Sequence, residues 1–345
     1  MKKRFGIFTV FLLLLVVAIS GCSDDASSEE SKSLLDTVKD RGKLIAGVNG
    51  SLPGFGYVGT DGEYTGFDVD FAKAIAVAVL GDANAIEYRP LTSDERFTAV
   101  QSGEVDVLVR NTTWTTNRDS EVGLNFAPVT FYDGQGIIVR KDSGINSLQD
   151  LEGARISVDQ GTTTELNLAD VLDSLGIKYE AAVFDTQDAA VQAYEEGSVD
   201  AWTTDKSGLI ARQANMENPS DHKILDETLS KEPLGPSVIG GDDTWFDIVK
   251  WVTFATMRAE ELGITSENVD EMLNSDNKEI QRLLGQDGNL GEQLHLDNDF
   301  AYKVIKEVGN YGEIFERNLG SVFGLERGLN DTYLNGGLMY SPPFR

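Results

Sequence analysis

The strongest constraint on the fold is a pattern that the chain uses twice. AVQSGEVDVLVRN (99–111) and AVQAYEEGSVDAWTTD (190–205) each read as a helix stopped by glycine, then x-Val-Asp, then a strand. Counted from Val105 and Val199, Asn111 and Asp205 stand at the same place past the strand start. Both copies sit in an alternating neighbourhood. Before the first, KLIAGV reads as a strand, DFAKAIAVAVL as a helix, AIEYRPL as a strand and DERFTAVQS as a helix; before the second, ARISV, TELNLADVLDSLG, YEAAVF and DAAVQAYEEG follow the same order. Short apolar strands separated by helices make a mostly parallel sheet covered on its faces. The chain is therefore expected to be α/β, with two similar lobes, each a mixed, mostly parallel sheet flanked by helices. Open α/β sheets bind ligands beyond the carboxyl ends of their strands, which would set Asn111 and Asp205 facing each other across a cleft.

Two extended runs, GQGIIVRKD (134–142) and GPSVIGGDD (235–243), link the lobes. Two crossings make a hinge, and hinged lobes close around something. An amphipathic helix is expected from about Asp243 to Leu262, and a short helix capped by Ser33 ends near Arg41 and Gly42. The segment 260–345, including NVDEML, DFAYKVIKEVGNYGEIFERN and MYSPPFR, reads as helical with turns. The expected division is 34–137 with 238–345 for the first lobe and 138–237 for the second.

At the amino end, Lys2, Lys3 and Arg4 precede an apolar stretch, 5–19, that is shorter than the roughly 20 residues of a membrane span. Ile19, Ser20, Gly21 and Cys22 then form a lipoprotein cleavage box, and Cys22 is the chain's single cysteine. Residues 1–21 read as a lipoprotein signal peptide, Cys22 as the lipidation site and 22–33 as a flexible, acidic tether. The expected location is extracytoplasmic, held to the membrane surface by the lipid. Removal of 1–21 takes away three basic residues and no acidic one, moving the net charge from −28 to −31. So acidic a chain repels nucleic acid and anionic lipid surfaces, which excludes nucleic acid as a partner. One cysteine allows no intrachain disulfide.

Three segments carry the polar chemistry. NTTWTTNRDSE (111–121) holds hydroxyls, amides and one cation after a strand; the planar fork of Arg118 suits a carboxylate, with Thr113 and Asn111 beside it. The alternative is a polar capping loop with Arg118 in a surface ion pair. DQGTTTELN (159–167) has capping-box spacing between Thr162 and Glu165, and the helix N-terminus near Thr163 favours an anion. In TTDKS (203–207), Asp205 is either a turn aspartate or a partner for an ammonium group. Together they offer a carboxylate site and an ammonium site on opposed lobes, the pattern that a zwitterion with an α-carboxylate and an α-amine needs.

Several longer segments resemble the polar-amino-acid branch of the type II periplasmic binding proteins, solute-binding family 3, and within it the general L-amino-acid-binding proteins of ABC importers. They are LPGF (52–55), GFDVDFAKAIA (66–76), ERFTAVQSGEVDVLVRNTTWT (95–115), GLNFAPVTFYDGQG (123–136), QGTTTELNLAD (160–170), KEPLGPSV (231–238) and NYGEIFERNLG (310–320). The resemblance implies a two-lobed type II periplasmic-binding-protein fold and capture of free L-amino acids such as glutamate, glutamine, aspartate and asparagine. It also implies a monomer that delivers its ligand to an ABC permease and needs no cofactor. It would put Arg118 on the α-carboxylate with Thr113 and the Thr163 amide, and Asp205 with Asn111 on the α-ammonium. Asn49, Leu52, Phe55 and Trp114 would line the pocket, and Arg110 would reach an acidic or amide side chain of the ligand. Ser51 stands where the family has glycine, and Ser157 and Val199 where many relatives carry cysteines.

An enzyme of similar lobe pattern, such as a dehydratase or a peptidoglycan lyase, would need a base or a metal site. The chain has two histidines, His222 and His295, both in polar, surface-like contexts. There is no Cys/His metal spacing, P-loop or nucleophile elbow, so no catalytic or metal-binding residue is expected. A module that senses amino acids without delivering them is the other reading.

Overall fold

The computed structural model describes residues 33–345, so the expected signal peptide, Cys22 and the expected tether up to residue 32 lie outside the described residues. Leu34–Arg41 is a helix; the Ser33 hydroxyl accepts from the Asp36 N–H at 3.1 Å, and Gly42 ends it at φ 69°, a left-handed backbone that glycine adopts without a Cβ clash.

Two five-stranded sheets organise the rest. In the first, the order is Ile86–Pro90, Leu44–Val48, Val107–Leu108, Ser237–Ile239 and Leu124–Phe126. Leu44–Val48 runs parallel to both of its neighbours, and Ser237–Ile239 runs antiparallel to both of its own, Val107–Leu108 and Leu124–Phe126. In the second, the order is Glu180–Phe184, Arg155–Asp159, Ala201–Asp205, Gln135–Arg140 and His222–Ile224. Its first three strands are parallel, and Gln135–Arg140 pairs antiparallel on both sides. Each lobe is thus a parallel set completed by an antiparallel strand from an extended run that links the lobes. Ile137, Ile138 and Val139 alternate between the two faces of the second sheet, and each face has its own core.

The first lobe owes its thickness to one helix. Phe67–Leu80 is largely apolar, and twelve of its residues are buried, Asp68 and Asp70 among them. A helix of that composition must be covered all round, and the helices Asp243–Glu261 and Phe300–Glu307 pack on it. Its start needs glycine: Gly66 has φ 137°, and a Cβ there would lie 2.1 Å from the Phe55 carbonyl oxygen. Phe67 meets Phe71, Phe55 and Phe131 edge-on at centroid distances of 5.1, 5.9 and 5.9 Å, pairs worth about 0.5–1.5 kcal/mol each beyond area burial.

The lobes are joined by a two-stranded antiparallel ladder, Phe131–Asp133 against Glu232–Leu234, with Asp133 opposite Glu232. Gly134 follows it, and a Cβ there would fall 2.4 Å from Thr228 Cγ2. The C-terminal segment braces this link. Asn330 accepts from the Tyr132 N–H at 2.6 Å and donates to its carbonyl at 3.1 Å, while the Tyr311 hydroxyl donates to the Thr130 carbonyl at 2.9 Å. The segment is less helical than its sequence suggests. After Asn335 it runs without a helix, because its end is held by packing instead: Phe344 is buried with its ring 5.1 Å from that of Trp251. No helix among the described residues is long and apolar enough to cross a membrane.

Candidate functional site

The carboxyl ends of the parallel strands of both sheets converge on one cavity. Asn49, Arg96, Arg110, Asn111 and Thr113 border it from the first lobe, and Asp159, Thr163, Gln187 and Asp205 from the second. The two residues related by the repeated pattern, Asn111 and Asp205, therefore line the same space. In this closed arrangement the cavity leaves about 20 Å³, room for about one water molecule, so the lobes must part to admit a ligand. A chamber of about 300 Å³ adjoins it, shares Ser93, Arg110, Asp159 and Gln187, and runs on past Ser51, Tyr64 and Pro90.

On the first lobe, Asn111 has φ 30°, an uncommon backbone for a residue with a side chain. Its N–H is held by the buried Asp68 carboxylate at 2.6 Å, and its side-chain oxygen accepts from Asn49 Nδ2 at 3.2 Å. Burial drives the Asp68 carboxyl up to about 7, against the Asn111 N–H and the nearby Arg110 charge. Between the ordinary carboxylate range and pH 7 the folded protein holds a proton that the unfolded chain has released, so Asp68 makes stability fall as pH rises. Asp68→Asn keeps an oxygen for Asn111 and removes that charge. Its melting temperature should exceed the wild-type value more at pH 8 than at pH 5, by about 2–4 °C for each kcal/mol relieved. Calorimetric melts of both proteins test this, and parallel pH profiles would contradict it.

Arg118 is not among the residues that line the closed cavity; it stands next to Thr113, which is. It is buried, its Nη1 donates to the Thr113 carbonyl at 2.7 Å, and its guanidinium lies 4.9 Å from the Phe97 ring centroid. Thr115 caps its short helix. Burial lowers its pKa to about 10, opposed by the charges of Glu232 and Asp205. On the second lobe, Thr162 caps the helix Thr163–Leu175, accepting from the Glu165 N–H at 3.1 Å. The capping box is only half made, since the Glu165 carboxylate takes the Gly161 N–H instead. Asp205 is buried at its strand end. Burial, then the neighbouring carboxylates Asp133 and Glu232, hold its carboxyl well above the usual range, although Arg96 and Arg118 pull it down.

The remaining expected residues lie around this centre. Leu52 is buried and reaches toward Gly208 of the second lobe, where a Cβ would meet its Cδ1 at 3.7 Å. Phe55 belongs to the aromatic core, its ring 5.2 Å from that of Phe131. Trp114 is 42% exposed and stacks on Phe126 at 5.9 Å. Arg110 is buried and donates through Nε to the Leu91 carbonyl at 2.7 Å.

Sequence reasoning missed Arg96, Ser93, Asp159, Gln187 and Glu232. Arg96 opens a short helix, and only tertiary packing turns it inward. It is buried, its Nε has no partner, and burial with the like charges of Arg118 and Arg110 lowers its pKa well below the ordinary value. Asp159 accepts from the Ser93 hydroxyl at 2.6 Å while its other oxygen has no partner, and neither has Gln187 Oε1. Asp159 had a usable signal, since it ends a parallel strand as Asp205 does. His222 corrects an expectation: it is buried, with Nδ1 2.7 Å from the Tyr194 hydroxyl, because the Tyr194 ring packs on it and its strand pairs with Gln135–Arg140. His295 is exposed.

A larger groove of about 580 Å³ lies on the outside of the first lobe, but its polar groups satisfy one another. Asp70 accepts from Arg317 and from Asn318, each at 2.7 Å. Buried polar atoms without partners occur in the cleft, which is the stronger mark of a ligand site. Among the described residues, no cluster of three or more His, Cys, Asp or Glu side chains suits a metal ion.

Comparison with known proteins gives a consistent set of likenesses. The family model for bacterial extracellular solute-binding proteins, family 3, matches residues 44–320. The chain is 52% identical over 323 residues to the general L-amino acid-binding periplasmic protein AapJ of Rhizobium johnstonii, covering 92% of this chain and 95% of that protein. It is 50% identical over 318 residues to the glutamate/glutamine/aspartate/asparagine-binding protein BztA of Rhodobacter capsulatus, covering 91% and 94%. A solved periplasmic binding protein from Brucella ovis with glutathione bound is similar with a TM-score of 0.89 and 49% identity, over 91% of this chain and all of that one (100%).

Proposed function

Because the chain belongs to family 3 of the bacterial extracellular solute-binding proteins and has their two-lobed type II fold, we propose that it captures free L-amino acids and passes them to an ABC importer. The observation that carries this reading is the cleft itself. Buried groups of both charges converge there from opposite lobes, and three of its polar atoms, Arg96 Nε, Asp159 Oδ1 and Gln187 Oε1, have no partner. In the proposed complex Arg118 and the helix N-terminus at Thr163 take the α-carboxylate, and Asp205 with Asn111 takes the α-ammonium. Leu52 seals the cleft against the second lobe, Phe55 braces its floor and Trp114 flanks it. Arg96, the cation with a free N–H on the cavity, receives the oxygen of an acidic or amide side chain. Lipid on Cys22 anchors the monomer outside the cytoplasmic membrane, where the closed form docks on the permease. The bound amino acid is released unchanged.

The deciding experiment is calorimetric titration of protein that has been unfolded, freed of bound ligand and refolded. Several L-amino acids should bind at micromolar or lower Kd, about −8 kcal/mol or better, and dicarboxylic acids without an α-amine should bind far more weakly. Refolded protein with a native melting transition that binds no amino acid would refute the reading. In the same assay Arg96→Met should weaken glutamate and glutamine about 10- to 100-fold while sparing alanine, whose side chain is too short to reach it. Lipidation is tested separately: Cys22→Ser should move the protein from the membrane fraction to the soluble fraction.

The 300 Å³ side chamber favours one extension of this reading. A ligand gripped at its α-groups and continued through a side-chain amide, as in a γ-glutamyl peptide, would occupy both spaces, and the Brucella ovis relative holds glutathione. Glutathione therefore belongs in the titration series.

A further inference from the structure

Against two residues of the cavity lining, Thr113 and Thr163, stands an enclosed carboxylate to which the proposed function gives no part. Glu232, in the crossing strand, is 1% exposed and accepts four hydrogen bonds. Its Oε2 takes the hydroxyl of Thr113 at 2.6 Å from the first lobe and the hydroxyl of Thr163 at 2.8 Å from the second. Its Oε1 takes Asn167 Nδ2 at 2.8 Å and the Ser230 hydroxyl. The two threonine oxygens lie 3.4 Å apart, over the same carboxylate oxygen, and both border the ligand cavity.

A hydroxyl has one proton and two lone pairs, and a carboxylate only accepts. Each threonine therefore gives its proton to Glu232 and has only lone pairs left for the cavity. A pair of hydroxyls held in that sense receives N–H groups and has nothing to donate to a carboxylate. Resting on the reading that the ligand is an amino acid, we infer that Glu232 is a positioning residue. It ties the two lobes at the hinge and fixes the Thr113 and Thr163 hydroxyls as acceptors for the ligand's ammonium. This revises one expectation, since the Thr113 side chain then serves the amine and not the α-carboxylate. It also gives Glu232 a share in specificity: two oriented acceptors reject a ligand that has an oxygen in place of the amine.

The test compares L-glutamate with 2-oxoglutarate in wild type and in Glu232→Gln, by competition titration on the full chain. The amide brings two N–H groups to a place where four donors already converge, so at least one threonine must turn its proton toward the cavity. Glutamate affinity should fall about 10- to 100-fold and 2-oxoglutarate affinity should hold or rise, narrowing the preference by at least tenfold. Thr163→Val removes one acceptor and leaves Glu232 three donors, so it asks the same question should Glu232→Gln not fold. It should lower glutamate affinity alone, and little further in combination with Glu232→Gln. Equal losses for both ligands, or an unchanged preference, would overturn the inference while leaving amino-acid binding intact. A wild type that binds no amino acid would overturn the functional reading and this inference with it.

Discussion

Arg118→Ala should weaken the binding of every L-amino acid by a similar factor, about 30-fold to several thousand-fold. That range corresponds to the roughly 2–5 kcal/mol lost when one partner of a buried, hydrogen-bonded charge pair is truncated. The uniformity follows from the assignment, because the α-carboxylate is common to all the ligands. The size follows from pre-organisation. One N–H of the guanidinium is held by the Thr113 carbonyl and its face lies against Phe97, so the fork is fixed before a ligand arrives. Arg118→Lys keeps the charge but loses the fork, and should recover only part of the affinity. Titration of several amino acids against each variant, with melting curves to show that both are folded, tests the prediction. A loss confined to glutamate and aspartate would place Arg118 on the side chain instead.

Asp205→Asn should cost affinity on the same scale, again for all amino acids, and unchanged affinity would remove Asp205 from the site. Its second signature is pH. In the ligand-free protein, burial and the nearby Asp133 and Glu232 carboxylates favour the protonated form well above the ordinary carboxylate range. An arriving ammonium favours the ionised form, so binding releases a proton. Affinity should therefore fall as pH is lowered through that raised range, and the calorimetric enthalpy should depend on the ionisation enthalpy of the buffer. Both effects should vanish in Asp205→Asn. The variant should also melt above the ligand-free wild type at neutral pH, since its fold need neither take up a proton nor confine a charge among like charges at this position. Stability gained where function is lost is the usual exchange at a binding site.

Much of this was legible in the sequence. The alternation of strands and helices led to the two sheets, and the repeated x-Val-Asp pattern led to Asn111 and Asp205, because strand order and strand ends are local properties. Arg118, Thr113 and Thr163 stood out because they crowd polar groups directly after a strand or at a helix start. Arg96 and Glu232 did not stand out, for a physical reason. One lies in an ordinary-looking helix segment and the other precedes a proline in an extended run. Only the packing of two lobes turns the first inward and brings donors from three parts of the chain onto the second. His222 looked solvated because its neighbours in sequence are polar, whereas in space it meets the Tyr194 side chain and pairs through its strand with Arg140.

The clasp that Asn330 makes on Tyr132 gives the last part of the chain a voice in the opening motion. The two residues are 198 positions apart, yet Asn330 grips both the N–H and the carbonyl of a residue in the pivot. Bending there must either drag Asn330 along or release two hydrogen bonds, each worth about 1 kcal/mol net. A pivot loaded in this way is stiffer than two bare strands. On the proposed function, the rate of ligand release should then depend partly on a segment that does not line the cavity, and substitutions at Asn330 should change that rate without altering the cavity lining.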